Sequence, residues 1–310
     1  MKEENCTYYL MGTVIKLWIQ HEQENEFLPE AERRLIDYEK RFSANDDASE
    51  LMVINHQAGV APVKVDEDLF ELIQLGKKHS LPKTSFLNIA IGPLIQAWHI
   101  GFDNAHRPSD QTIQWLLQRI NPQDIYMNEG HRTVFLKKKG MSLDLGAIAK
   151  GYFADQLLAY FKENHVHSAL IDLGGNVLTY GDASNHEDGL WRIGIQNPFS
   201  KRGELATVLK VKNQSVVTSG IYERTNELNG ETFHHIFDQE TGYPLETNVA
   251  SVTIVSEKSV DGEVWTTRLF GKPAKEIIEL LNNMEEIEGV VITKEGQLFY
   301  SNALESQVIQ

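Results

Sequence analysis

The residue types that can do chemistry gather in a few short clusters. The first is Leu143-Asp144-Leu145-Gly146-Ala147-Ile148-Ala149-Lys150-Gly151. A short strand ending at Asp144, a Gly-Ala turn and a helix starting near Ile148 would aim free backbone N–H groups at whatever lies ahead of the turn, and the helix dipole favours an anion there. Lys150 adds a point charge in the first helical turn, where the dipole opposes a cation. A plain strand-to-helix connection uses the same residues, and on these residues alone it is the simpler account.

The second cluster is Thr218-Ser219-Gly220, with Tyr222, Glu223 and Arg224 close behind. It places small hydroxyls and a glycine after a β run, where backbone can approach a ligand closely; a simple turn needs the same residues. The third is His234-His235-Ile236-Phe237-Asp238, followed by Thr241-Gly242-Tyr243-Pro244. Adjacent histidines on a strand point to opposite faces, so at most one can serve a site, and a structural histidine is the commoner case. The fourth is Asp261-Gly262-Glu263-Val264-Trp265-Thr266-Thr267. If it is helical, Glu263 and Thr267 share a face and offer a hard oxygen pair suited to Mg²⁺, although a capped helix start uses the same residue types.

These clusters need elements to hold them. Tyr8 to Ile19 reads as a strand entered through Gly12, and Pro29–Phe42 and Asp66–His79 read as amphipathic helices. From Met141 onward β runs and helices alternate: a helix over Ala149–Lys162, then strands at Ala169–Leu173, Trp191–Gln196, Ser215–Thr218, Ala250–Ser256 and Gly289–Thr293. The last pairs with Leu298–Ser301 across Lys294-Glu295-Gly296 as a hairpin. Pro273–Asn283 reads as a surface helix. No repeat or linker interrupts the pattern, so the expectation is one α+β domain over 1–310, disordered at 1–7 and ending in a tail at 303–310.

Composition narrows the partners. The chain has 310 residues, 41% hydrophobic and 24% charged, with a formal net charge of -15 and one cysteine, Cys6. That charge argues against a general surface for nucleic acid, and no window is apolar enough to span a bilayer. An anionic ligand would need local help from backbone dipoles, a lysine or a metal. One cysteine excludes an internal disulfide and a cysteine-based zinc site. Met1 to Cys6 has the character of neither a signal peptide nor a lipid-anchored segment, which gives a cytoplasmic expectation for the sequence as it stands.

The order of the motifs is more specific than any one of them. Met11-Gly12-Thr13, Ser49-Glu50-Leu51 with Asn55, Gly92-Pro93-Leu94 with Trp98, the Leu143–Tyr152 segment with Asp155, and Gly174-Gly175 come in series. Trp191-Arg192-Ile193-Gly194-Ile195 with Pro198, Thr218-Ser219-Gly220, His235-Ile236, Asp238 and Thr241-Gly242-Tyr243-Pro244 follow. From about Met11 to Gly271 the chain resembles the ApbE family of FAD:protein FMN transferases.

The resemblance implies a T-fold-like α+β architecture with antiparallel-rich sheets packed against helices. It also implies a Mg²⁺-dependent reaction that cuts the FAD pyrophosphate, attaches FMN to a threonine or serine of a target flavoprotein as a phosphoester, and releases AMP. By the same resemblance Met11, Asn45, Phe86, Leu87, Asn88, Asp144, Lys150 and Ile236 bind FAD. The Ala147 carbonyl, Glu263 and Thr267 hold Mg²⁺, and His235 is catalytic. Glu263 stands where the family usually has aspartate, with Asp261 the alternative ligand; Asn45 replaces a usual aromatic and Asn88 a usual aspartate. The other readings are a metal-dependent FAD pyrophosphatase and a non-catalytic FAD-binding protein.

Overall fold

The structure, a computed structural model, describes residues 1–228 and 230–309. A long hairpin opens the chain, β1 (Lys2–Leu10) and β2 (Thr13–His21), and α1 (Leu28–Phe42), α2 (Glu50–His56), β3 (Val63–Lys64) and α3 (Glu67–Ser80) follow. Next come α4 (Gly92–Trp98), α5 (Asp110–Leu117), β4 (Ile125–Asn128), β5 (Thr133–Leu136) and α6 (Ala149–Glu163). The second half runs through β6 (Ser168–Leu173), β7 (Asn176–Tyr180), β8 (Trp191–Gln196), β9 (Leu205–Val211), β10 (Ser215–Gly220), β11 (Thr225–Leu228), β12 (Glu231–His234) and β13 (Val249–Ser256). It closes with α7 (Ser259–Leu269), α8 (Ala274–Leu281), β14 (Ile287–Thr293), β15 (Leu298–Tyr300) and β16 (Val308–Ile309).

The organising element is an eight-stranded sheet in the order β1-β2-β6-β7-β10-β13-β14-β15, antiparallel at every pairing. Strand alternation sorts its side chains onto two faces. Ile15, Leu17, Ile19, Ile171 and Leu173 enter a core shared with α1, α3 and α6. Trp18, Leu170, Val177, Val216 and Val255 meet Trp191, Ile193, Ile195 and Leu209 of the small β8–β9–β16 sheet on the other side. The architecture is mixed α+β, as expected. Among the described residues no helix is long and apolar enough to cross a membrane.

Several boundaries depart from the sequence reading. Residues 1–7 are not disordered: Lys2–Leu10 pairs along its whole length with β2, and the chain turns at Met11-Gly12 rather than running as one strand from Tyr8. Residues 303–310 are not a free tail within the described residues. Leu304 is fully buried in the second core and Val308–Ile309 pairs with β9, while Gln310 lies outside the described residues. The strand expected to end at Asp144 is absent. Instead the side-chain amide of Asn55 takes both main-chain groups of Leu143, donating to its carbonyl (3.1 Å) and accepting from its N–H (2.7 Å). Asn55 thus does for one residue what a neighbouring strand would do for several.

Candidate active site

Three pieces of chain meet around the amino end of α6. The Asp144 N–H donates to the Ile89 carbonyl (2.9 Å), which ties the turn to the 85–90 segment. One Asp144 oxygen accepts the Gly146 N–H (2.8 Å) and closes an Asx turn. Burial pushes the Asp144 carboxyl above the usual carboxylate range, against the opposing pull of the Gly146 N–H and the Arg224 guanidinium. No backbone N–H among the described residues donates to the Ala147 carbonyl, since α6 takes its first bonds on Leu145 and Ile148. Ala147 is only partly buried, so a main-chain oxygen is left available at the helix entrance.

The second piece is α7, which is held against α6 by two devices. Gly151 is one: a Cβ there would stand 2.6 Å from the Ser259 carbonyl oxygen and 2.7 Å from Val260 Cα, so only glycine permits this approach. The other is Asp155, whose two carboxylate oxygens accept the Ser259 and Val260 N–H groups (2.8 and 2.9 Å) and cap the start of α7. Gly151→Ala is expected to lower folding stability by about 1–3 kcal/mol, because the obstructing atoms are backbone. Thermal unfolding checks this, and an unchanged melting temperature would show that the helices can separate freely.

Helix α7 carries Glu263 and Thr267 on one face, as their spacing predicts. Glu263 is 5% exposed. Its Oε1 accepts the Asn176 side-chain N–H at 2.9 Å, while Thr267 is partly exposed. Burial raises the Glu263 carboxyl, and the Lys150 ammonium and Asn176 counter part of that rise. Thr218-Ser219-Gly220 does not follow a strand but ends β10. There the Ser219 hydroxyl donates to Thr266 Oγ1 (3.0 Å), whose own hydroxyl donates to the Glu263 carbonyl (3.0 Å). These small residues therefore fasten α7 to the sheet.

The third piece holds the histidines, which part company as strand geometry requires. His234 Nε2 lies 3.0 Å from the Leu245 carbonyl, and its Nδ1 accepts the Ile236 N–H at 3.3 Å, so it is neutral and structural. His235 turns to the Arg224 carbonyl, with Nδ1 at 3.3 Å. A carbonyl only accepts, so Nδ1 carries the proton and Nε2 keeps its lone pair. Burial first, and then the Arg224 and Lys150 charges, push the imidazole down to about 4, against the bond to the Arg224 carbonyl. The Gln239 side chain donates to the Ser85 carbonyl (2.7 Å), which ties the histidine segment to the 85–90 stretch and through it to the Asp144 turn.

The remaining candidates divide. Phe86 and Ile236 are partly buried against one apolar cluster beside the carboxyl end of α7, and the Phe86 N–H reaches the Arg268 carbonyl (3.3 Å). Met11 packs, with Ala147, against the main core, in a left-handed conformation (φ 54°) with its N–H on Glu39 (2.6 Å). Leu87 and Asn88 are buried, and the Asn88 amide is spent on the Ile120 carbonyl (2.8 Å) and the Ala90 N–H (2.9 Å). They support the Asp144 turn from behind. Asn45 is exposed, with its N–H on the Ser43 hydroxyl (3.1 Å) and, among the described residues, no side-chain bond to the site.

Two surface cavities contain none of these residues. One, about 430 Å³, is lined by Arg41, Asp68, Glu71 and Tyr152 among others. Its Arg41 is already neutralised by Glu50 and Asp68, which leaves little there for an anion. The other, about 340 Å³, lies within the 182–189 loop. The geometry of the three converging pieces is the better guide to chemistry.

A Mg²⁺ site drawn from these pieces would fit the donors present. Among the described residues no group of three or more His, Cys, Asp or Glu could hold a metal. A hard cation here would rely on one carboxylate, a hydroxyl, a main-chain oxygen and the substrate's phosphates, which is the usual Mg²⁺ arrangement. Sequence reasoning missed Asn176 and Ser259 and saw Arg224 without its main-chain role. The position of Asn176 directly after Gly174-Gly175 was the one available signal.

Comparison with known proteins identifies the family and the fold. The sequence model of the ApbE family matches residues 11–291. A FAD:protein FMN transferase of Klebsiella pneumoniae (strain 342) is 42% identical over 265 residues, covering 86% of this chain and 81% of that protein. One of Treponema pallidum (strain Nichols) is 36% identical over 262 residues, covering 81% and 72%. The fold matches the crystal structure of the ApbE protein of Thermotoga maritima MSB8 with a TM-score of 0.89, at 24% identity and full coverage of both chains.

Proposed function

The chain belongs to the ApbE family, and from that premise we propose that it is a FAD:protein FMN transferase that works with Mg²⁺. Lys150 in the first turn of α6, a helix drawn against α7 and its buried Glu263 by Gly151 and Asp155, is the observation that carries the reading. An ammonium there can face a pyrophosphate while the base faces the incoming hydroxyl. Bound by Glu263, Thr267 and the Ala147 carbonyl, Mg²⁺ would supply charge neutralisation on the phosphates.

The residues of the chain account for the rest. Asp144 and Lys150 orient the donor, and Phe86, Ile236 and Met11 offer apolar surface for its rings. His235 Nε2 takes the proton of a threonine or serine hydroxyl on an acceptor flavoprotein. That oxygen forms a bond to the phosphorus of the FMN half, the bond to the bridging oxygen breaks, and AMP leaves with the electron pair. Incubation with FAD, Mg²⁺ and an acceptor domain should give a fluorescent acceptor band and an equal yield of AMP. Chelation with EDTA should stop both. AMP without labelled acceptor would mean that water is the acceptor, and FAD bound without turnover would overturn both enzymatic readings.

A further inference from the structure

Asn176 is the first residue of β7, reached through two glycines in the left-handed region (φ 73° and 93°). It is 1% exposed. Its amide makes one bond on each side: Nδ2 donates to Glu263 Oε1 at 2.9 Å, and Oδ1 accepts the Ser259 hydroxyl at 2.5 Å. The Ser259 oxygen in turn accepts the Ser215 hydroxyl at 3.0 Å. Ser215 and Ser259 are both fully buried.

The polarity of this chain of bonds is dictated from one end. An ionised carboxylate only accepts, so the amide must turn its NH₂ toward Glu263. Its oxygen then faces Ser259, whose single proton is committed to it, and Ser215 must supply the proton to Ser259. Each hydroxyl proton has one acceptor, and one N–H of the Asn176 amide is committed to Glu263. Reversing any link would set oxygen lone pairs against each other in a buried site. Glu263 Oε1 is thereby fixed to the sheet, while Oε2 makes no hydrogen bond among the described residues.

We infer that Asn176 is a positioning residue: its amide, locked by Ser259 and Ser215, holds the Glu263 carboxylate with one oxygen tied down and the other presented to a divalent cation. The inference rests on the metal-binding role proposed for Glu263 and adds the partner that sets its orientation. Groups that orient a metal-binding carboxylate commonly change metal affinity by about 10–100-fold when removed.

The test uses Mn²⁺ as a paramagnetic probe, with FAD present, on the full-length chain. Asn176→Ala should weaken Mn²⁺ binding by about 10–100-fold, while FAD affinity measured in EDTA by flavin fluorescence stays at the wild-type value. In turnover, the Mg²⁺ concentration for half-maximal rate should rise by a similar factor, with the KM for FAD little changed. A purely structural role would instead lower the melting temperature and leave Mn²⁺ binding intact, and that result would overturn the proposal. If Asn176→Ala does not fold, Ser259→Ala decides: several-fold weaker Mn²⁺ binding supports the relay, and unchanged binding overturns it. Glu263→Ala separates the two levels. If Mn²⁺ still binds to it, the metal role of Glu263 falls and the inference with it. If Mn²⁺ is lost from Glu263→Ala but kept by Asn176→Ala, the inference alone falls.

Discussion

Glu263→Gln should cost FMN transfer on the order of 10³-fold while making the protein without ligands more stable. The two effects come from one fact: a carboxylate 5% exposed with a single hydrogen-bond donor. Glutamine keeps the size and can still accept from Asn176, so the bond survives. It cannot neutralise a cation, so the phosphates lose part of their compensation in the transition state. In the unliganded fold the same loss is a gain, because the ionised form no longer has to be kept out of water. Burial raises the Glu263 carboxyl. The stability linked to it is therefore fully present below the ordinary carboxylate range and is lost as pH rises through the raised folded value. Melting temperatures of the two proteins should lie close together at acid pH and diverge in favour of Glu263→Gln toward neutral pH. A variant that melts lower than wild type at neutral pH, or one that transfers at the wild-type rate, would show that Glu263 is only a structural group.

The second large effect is expected at His235. Removal of a positioned general base typically costs about 10²–10⁴-fold, and His235→Ala should fall in that range with FAD affinity preserved. The pH dependence is the sharper readout. The imidazole is pushed down to about 4 from an ordinary value of 6.5. Its contribution to stability is present above 6.5 and is lost as pH falls from there through the folded value. The base therefore stays neutral and competent between pH 5 and pH 8. The acid side of the kcat/KM profile should show no limb from this imidazole at 6.5, and the limb at lower pH is shared with the Asp144 and Glu263 carboxyls, which burial raises. A bend at 6.5 would mean that the imidazole is solvated in the working enzyme. Loss of FAD binding in His235→Ala would mean that it positions the donor rather than taking a proton.

The parts of this protein that follow from local chemistry were legible in its sequence. Leu35 and Phe42 mark the buried stripe of α1, and Trp191 to Gln196 was bounded correctly as a strand. The four-residue interval between Glu263 and Thr267 becomes a shared helix face as soon as the segment is helical. Bonds between residues distant in sequence were not legible. Asn55 replaces a strand at Leu143 from 88 residues away, and Asn176 reaches Glu263 across 87. Neither amide differs in type from a surface asparagine. The first strand was missed for another reason. Lys-Glu-Glu-Asn-Cys-Thr has few apolar residues because β1 is an edge, and its pairing with β2 rather than its own burial makes it a strand.

The tautomer of His235 is set by a main-chain oxygen, that of Arg224. Every amino acid carries that oxygen, so no substitution at position 224 can remove the acceptor. Changing the residue would alter the charge felt by Asp144 and by the imidazole itself, while the acceptor that fixes the tautomer stays. Position 224 can thus vary in side chain without loss of the oxygen that holds the ring. The length of the loop before β11 is another matter: one inserted or deleted residue would move the carbonyl and release the ring. The enzyme is robust here to point mutation and fragile to insertion, the reverse of what an exposed loop ordinarily tolerates.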